Sequence, residues 1–355
     1  MARPSRALVD LDALRHNYAV ARRLHGGGAL AVLKANAYGH GALRCAQALQ
    51  RDADGFAVAF LEEAVALRAG GITGPILVLE GVFDADELRQ VQSLALWTVV
   101  HHEAQLRMVE DTADIAGLQV WLKIDTGMHR AGFAPADAAA AHRRLMASGK
   151  VVAITLMTHF ARADEPGQPT TQEQIAVFDA ATAGLAGRRS LCNSAGVLAW
   201  PEARGDWARP GILLYGADPL PGGVNEHGLR PVMTLQSRVF AVRELQPGDA
   251  LGYGGGFIAP VTMRVGLVAA GYADGYPRTA PAGTAVAIDG VRSRVAGRVS
   301  MDMLTVDLTD LPRSGVGAEV ELWGQQVSVN EVAAAVGTIS YELLCNVKRV
   351  PLVYR

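Results

Sequence analysis

The sequence has no surplus of either charge: 33 Lys and Arg stand against 35 Asp and Glu in 355 residues, a formal net charge of −2. Without a cationic excess or a Lys/Arg block there is nothing to neutralise a phosphate backbone or an anionic lipid surface, so no nucleic-acid or membrane partner is expected. Cysteines are scarce. Cys45, Cys192 and Cys345 are far apart and lack CxxC spacing, so they form neither a disulfide framework nor a zinc site and fit a reducing cytosol. No run of about 18 apolar residues occurs, which excludes a helical membrane span. Asp10 and Asp12 interrupt the N-terminus before an apolar signal core could form, so a cytoplasmic location is expected. HExxH, GxSxG and the kinase motifs are missing, and Gly252–Gly256 has neither GxGxxG nor GxxxxGK[ST] spacing, which removes support for metalloprotease, serine hydrolase, kinase and nucleotide-loop readings. What is plentiful is apolar residues, at 50%. With so little net charge, that fraction excludes disorder and allows two domains with a sizeable core.

Eight strand-like stretches alternate with helical patterns over the first two-thirds of the chain. They are Ala29–Asn36, Gly55–Phe60, Pro75–Gly81, Leu94–Val100, Leu118–Asp125, Val151–Phe160, Arg188–Asn193 and Arg209–Gly216. Most are continuous apolar runs, as strands buried on both faces are. Between them Ile175, Phe178, Ala181 and Leu185 recur at helical spacing. This pattern predicts a (β/α)8 TIM barrel, with an open doubly wound sheet as the competitor. Pro219, Pro221, Gly222, Gly223 and Gly228 then cluster like a linker. Beyond them Thr284–Ile288 and Val291–Val295 flank Asp289-Gly290, the signature of a two-residue hairpin turn. The expected division is a barrel over 1–228 and a smaller β-rich domain over 229–355.

Catalytic groups of a barrel sit at the C-terminal ends of its strands, and polar residues fall there. Lys34 ends the first strand, Lys123 and Asp125 the fifth, His159 the sixth, and Asn193 and Ser194 the seventh. Arg209 and Gly211 are awkward, since they open the eighth candidate. Each has a plain structural reading: a solvated lysine, a satisfied core histidine, a helix cap. Against these, Lys34 directly follows an apolar run, and a lysine partly withdrawn from water becomes a usable amine nucleophile or base. Asn193-Ser194-Ala195-Gly196 caps a helix or holds an anion. Tyr253 lies among glycines that let backbone approach a ligand closely. His101-His102 has no metal-ligand spacing and reads as surface; no metal site is expected.

At these residues the chain resembles the alanine racemase family. Ala31–Gly41 (AVLKANAYGHG) is similar to its pyridoxal phosphate attachment site. Leu122–Phe133, Thr158–Asp164, Cys192–Gly196, Ala208–Gly216, Gly252–Phe257, Gly271–Arg278, Gly297–Asp302 and Ile339–Pro351 match its other motifs in order, over nearly the whole chain. The resemblance implies the barrel, a C-terminal β domain that completes the partner's site in a homodimer, pyridoxal 5'-phosphate as cofactor, and interconversion of L- and D-alanine. That reaction would supply D-alanine for peptidoglycan, break alanine down, or both.

The resemblance also implies roles residue by residue. Lys34 forms the internal Schiff base and is the base on one face of the substrate Cα; Tyr253 of the partner subunit is the base on the other. Tyr38, Asn193, Ser194, Gly211 and Ile212 belong to the cofactor site, most of them at the phosphate. Arg209 donates to the pyridine nitrogen with His159 behind it. Arg130 and Met301 bind the substrate carboxylate, and Lys123 matches a position that is carbamylated in many members. Asp164, Tyr272, Arg278, Arg298 and Asp302 match the substrate access corridor. One departure is visible: Cys345–Arg349 is a residue shorter than in many members, and a gate tyrosine found there has no counterpart. That short ending looks more like the catabolic members. The rivals are a racemase of another amino acid, a decarboxylase of the same fold, and a non-catalytic cofactor-binding protein. A decarboxylase would place glutamate at Arg209, and the non-catalytic proteins resemble the barrel alone.

Overall fold

The computed structural model describes residues 3–222 and 225–355; Gly223 of the linker cluster lies outside the described residues. The chain begins with a short strand, β1 (Arg6–Val9), and helix α1 (Leu11–His25). Asp10 caps α1 by accepting from Ala13 N at 2.8 Å, and Gly26 ends it in the left-handed region. Eight parallel strands follow: β2 (Gly28–Val32), β3 (Gly55–Val58), β4 (Ile76–Val78), β5 (Trp97–Val100), β6 (Leu118–Lys123), β7 (Val151–Met157), β8 (Arg188–Ser190) and β9 (Trp207–Ala208). They pair in sequence from β2 to β8, and β9 pairs back onto β2. The remaining seam, between β8 and β9, is closed by Asp206 N donating to Arg189 O and Arg209 N to Cys192 O, both at 2.9 Å. The expected barrel is therefore the fold. Trp97, Trp121 and Trp207 meet with ring centroids 5.6 to 6.2 Å apart. Since β5 and β9 are not neighbours in the sheet, that contact crosses the lumen, and the barrel interior is a packed core.

The eighth strand is where sequence and structure differ. The apolar run Ile212–Tyr215 is a 3-10 turn, fully buried, and the strand is Trp207–Ala208 just before it. A run of apolar residues reports burial and does not by itself distinguish a strand from a short helix. The shift removes the awkwardness at Arg209, which now follows its strand.

The second sheet has eight strands. Its long member β10 (Met233–Leu245) pairs with β1, with Met263–Val268 and with Glu319–Trp323. Ala285–Ile288 and Val291–Arg294 form the expected hairpin, with φ of 48° at Asp289 and 82° at Gly290. Strand β1 lies between β10 and Leu352–Tyr354. The chain thus starts in the second sheet, builds the barrel and returns. No helix among the described residues is long and apolar enough to cross a membrane.

Asn17 of α1 is completely buried and ties the two units together. Its amide donates to Leu214 O and Arg230 O at 3.0 and 2.8 Å and accepts from Arg230 N at 2.8 Å. Asn17→Leu leaves three backbone groups unmet and should cost about 3 kcal/mol in urea unfolding; a loss under about 0.5 kcal/mol would show that the tie is unimportant.

Candidate active site

A cavity of about 370 Å³ opens at the C-terminal rim of the barrel. It gathers Lys34, Tyr38, Lys123, Arg130, His159, Asn193, Ser194, Arg209, Gly211 and Ile212, ten of the residues singled out in the sequence. They arrive from five strand ends, those of β2, β6, β7, β8 and β9, which is how a rigid barrel concentrates chemistry on one rim. Four of these side chains are cations, and the only carboxylate lining the cavity is Glu80. The site is built to receive negative charge.

Lys34 follows β2 and is half-buried. The strand stops at Val32, four residues before the expected Asn36, because the chain then turns left-handed. Ala35, Asn36, Ala37 and Tyr38 all have φ between 51° and 56°, and Gly39 continues at 82°. For side-chain-bearing residues that conformation costs roughly 1–2 kcal/mol each, so it persists only where the surroundings impose it. Here Ala37 N donates to Leu33 O at 2.8 Å and Gly41 N to Asn36 O at 2.9 Å. Glu63 accepts from Ala35 N at 2.7 Å and, through its other oxygen, from Ala59 N at 2.8 Å, joining the ends of β2 and β3. The turn curls the chain so that Tyr38 is buried with its hydroxyl facing Gly211, where a Cβ would come within 2.4 Å of it. Burial pushes the Tyr38 phenol upward, so it stays protonated and can donate. Ser194 Oγ accepts from Gly211 N at 2.8 Å and Leu213 N at 3.3 Å. Asn193 caps the following short helix through Gly196 N at 2.9 Å.

Arg209 is 4% exposed, and oxygens answer its charge without any carboxylate. It donates to Thr158 O at 2.6 Å, to Ser190 O at 2.9 Å and to the Ser190 hydroxyl. Its guanidinium also stands 3.5 Å from His159 Nδ1. Burial lowers Arg209 to about 10. Burial, then the charge of Arg209, holds His159 well below its ordinary value, so the imidazole is neutral and accepts from the guanidinium. Gln174, on the helix Thr170–Thr182, is buried behind it. It donates to Thr126 Oγ1 and His159 O, both at 3.2 Å, and so joins the loops that follow β6 and β7.

The other singled-out residues form a second group. Tyr253 lies on an exposed turn, 71% accessible, and Met301 is 53% accessible. Arg298 stands against this glycine turn, and Tyr272 N is bonded to Ser300 O at 3.0 Å next to Met301. Asp302 pairs with Arg349 at 3.0 Å. Tyr272 and Arg278 line a separate cavity of about 530 Å³. Asp164 is exposed, close enough to Tyr341 to raise its phenol, already pushed up to about 12 chiefly by burial. None of these residues lines the barrel cavity of its own chain.

Sequence reasoning missed Glu80, Tyr341 and Cys345 as lining residues. Glu80 had a signal, an acid ending the apolar run Ile76–Leu79 on the same rim. Tyr341 and Cys345 had none, because they reach the barrel from the far end of the chain. His101 is half-buried against Glu80 O at 3.2 Å and His102 caps a helix, as non-ligands do.

Comparison with known proteins gives one answer. Two family models match, "Alanine racemase, N-terminal domain" over residues 9–219 and "Alanine racemase, C-terminal domain" over residues 232–354. The chain is 65% identical over 353 residues to the alanine racemase of Azoarcus sp. strain BH72, covering 99% of each protein. It is 59% identical over 353 residues to a protein of Pseudomonas putida named "Alanine racemase, catabolic", again over 99% of each. Among solved structures, that of the biosynthetic alanine racemase from Pseudomonas aeruginosa matches with a TM-score of 0.97 at 50% identity over 100% of both chains.

Lys123 yields a test of the cavity's electrostatics. Burial, with smaller contributions from Arg209, Arg130 and Lys34, lowers it to about 8, against the opposing pull of Glu80. Below pH 8 it is charged in both folded and unfolded chains; between 8 and its ordinary value only the unfolded chain holds the proton. Its contribution to stability therefore rises with pH across that window. Competitive acylation read by peptide mass spectrometry should give Lys123 a half-titration point near 8. A half-point above about 10, the ordinary lysine range, would mean the cavity is wetter than it looks.

Proposed function

The chain belongs to the alanine racemase family, and we propose that it interconverts L- and D-alanine with pyridoxal 5'-phosphate as cofactor. In this reading it works as a homodimer: residues 1–228 supply most of the cofactor cavity, Tyr341 and Cys345 add a wall, and residues 229–355 present the face that completes the partner's. The observation that carries the reading is the cavity's composition. A lysine at a strand end, four cations against one carboxylate and a hydroxyl-and-amide cradle fit a phosphorylated aldehyde and a small amino acid. When bound, pyridoxal phosphate supplies the electron sink that makes an amino acid's Cα proton removable near pH 7.

The chain's residues do the binding, orienting and proton handling. Tyr38 and Ser194 hydroxyls, with the backbone at Gly211 and Ile212, would hold the phosphate, and Asn193 keeps their loop in place. Arg209 directs an N–H at the pyridine nitrogen. At about 10 it remains a cation at pH 7, so it gives a hydrogen bond without giving up its proton. By keeping its own proton, Arg209 would leave the bound cofactor a weaker electron sink and so restrain side reactions such as transamination. Neutral His159 keeps the guanidinium aligned. Arg130 and the backbone N–H of Met301 of the partner subunit bind the substrate carboxylate. Lys123, partly uncharged near pH 8, can add carbon dioxide at Nζ with loss of a proton, giving a negative group that orients Arg130. Asp164, Tyr272, Arg278, Arg298 and Asp302 line the substrate's approach.

Inversion at Cα needs one proton removed from one face and another delivered to the opposite face, so it takes two groups. Lys34 Nζ serves one face and the phenol of Tyr253 of the partner subunit the other. The exposure of Tyr253 on a single chain fits a group that works in its neighbour's cavity. The reaction runs both ways, supplying D-alanine for peptidoglycan or breaking alanine down. The shortened Cys345–Arg349 segment and the catabolic relative favour breakdown.

Optical rotation of L-alanine incubated with the protein and pyridoxal phosphate should decay to zero. A constant rotation with cofactor bound would move the substrate to another amino acid. Lys34→Ala should abolish covalent attachment of the cofactor and nearly all turnover. Tyr253→Phe should slow Cα exchange into deuterium oxide from one enantiomer by about 100-fold or more while exchange from the other persists. Equal slowing for both would remove the two-base assignment.

A further inference from the structure

His40 follows the left-handed turn, is fully buried and does not line the cavity. Its Nδ1 lies 2.9 Å from Ala37 O and 3.0 Å from Tyr38 O. Both are acceptors, so the ring proton resides on Nδ1 and is shared between them. The ring stacks on Tyr215, centroids 4.5 Å apart, and Tyr215 lies 4.8 Å from Tyr38, so the three rings form a column. Tyr215 in turn donates to Val32 O at 2.8 Å, at the end of the strand that carries Lys34. The backbone is held as well, Tyr354 donating to His40 O at 3.1 Å.

Packing does not account for this histidine. Its Nε2 is buried without a hydrogen-bond partner among the described residues, and an unmet buried nitrogen is destabilising. An apolar ring would fill the same space without that penalty; what it could not do is donate to the two carbonyls. Burial lowers His40 to about 4, so the ring is neutral and keeps a single N–H at neutral pH.

We propose that His40 is a positioning residue for the cofactor site, its Nδ1–H locking the left-handed turn so that Lys34 at one end and Tyr38 at the other keep a fixed separation. The inference rests on reading the cavity as a pyridoxal phosphate site. The amine and the phosphate anchor would grip two substituents of one small molecule, its aldehyde and its phosphate arm, so a turn that relaxes toward the right-handed region would spoil both grips together.

Three variants test it, with pyridoxal phosphate affinity by fluorescence titration and amide hydrogen exchange of the peptide covering 34–41 as readouts. His40→Leu should weaken affinity about tenfold, the equivalent of one buried hydrogen bond, and speed exchange in that peptide but not in the second sheet. His40→Asn, whose amide nitrogen occupies the place of Nδ1, should recover affinity to within about threefold of wild type. Wild-type affinity in His40→Leu, or Asn no better than Leu, overturns the proposal. Should His40→Leu fail to fold, His40→Gln takes its place: its nitrogen sits one bond too far, so Asn near wild type with Gln impaired supports the inference, and equal behaviour overturns it. Failure of the wild type itself to bind pyridoxal phosphate would sink the reading of the cavity instead.

Discussion

A guanidinium withdrawn from water must be surrounded by oxygens, and in this protein that requirement organises the rim of the barrel. Arg209 has no carboxylate to pair with among the described residues, so it draws on the carbonyl of Thr158 just after β7 and on that of Ser190 at the end of β8. Between β8 and its own strand β9 lies the seam where ladder pairing gives out and two backbone hydrogen bonds finish the ring, one of them from Arg209 N. Closing the barrel and fixing the cation are one arrangement. Removing a charge from water costs several kcal/mol even after relaxation, so such a cation is retained where its field is used. Burial, then this cation with Lys123, Arg130 and Lys34, keeps His159 neutral, and the four charges make the cavity receptive to anions.

The cavity is finished from two other directions. From below, the left-handed turn places a lysine and a tyrosine at the two ends of one short segment, which right-handed backbone would spread differently. From the far end of the chain, Tyr341 and Cys345 supply a wall. What a single chain does not bring is anything from the Tyr253 face. Tyr253 and Met301 are open to solvent, and Arg298 stands against the glycine turn that carries Tyr253.

Much of this was legible in the sequence, for a physical reason. Strands buried on both faces read as apolar runs, and a barrel delivers whatever follows them to one rim, so Lys34, Lys123, His159 and Ser194 could be located by position alone. The Asp289-Gly290 hairpin was equally legible, because few residue pairs tolerate two positive φ angles. The eighth strand was not, since Ile212–Tyr215 is apolar through burial of a 3-10 turn. Nor was the left-handed turn: Ala35, Asn36, Ala37 and Tyr38 carry no glycine to announce it, and contacts from His40 and Glu63 that no spacing reveals hold it. Glu80 was visible but unread, an acid at a strand end overlooked among more conspicuous cations. Gln174 and Asn17 escaped because a polar residue on a helix looks solvated until the structure shows what it faces.

The placement of β1 bears on how the molecule comes to be assembled. Its partners are β10 and Leu352–Tyr354, separated from it by the whole barrel, so β1 waits for strands that follow the barrel, Leu352–Tyr354 the last of them. Contacts this distant in sequence form late, since a long loop must close before they return anything. The barrel can collapse around its own local βα units while the chain is still growing. Tyr354, which holds His40 from behind, belongs to that final strand. The segment bearing Lys34 thus gains this tether only after residue 354 has been made, and a shorter nascent chain carries the lysine before the turn is held on that side.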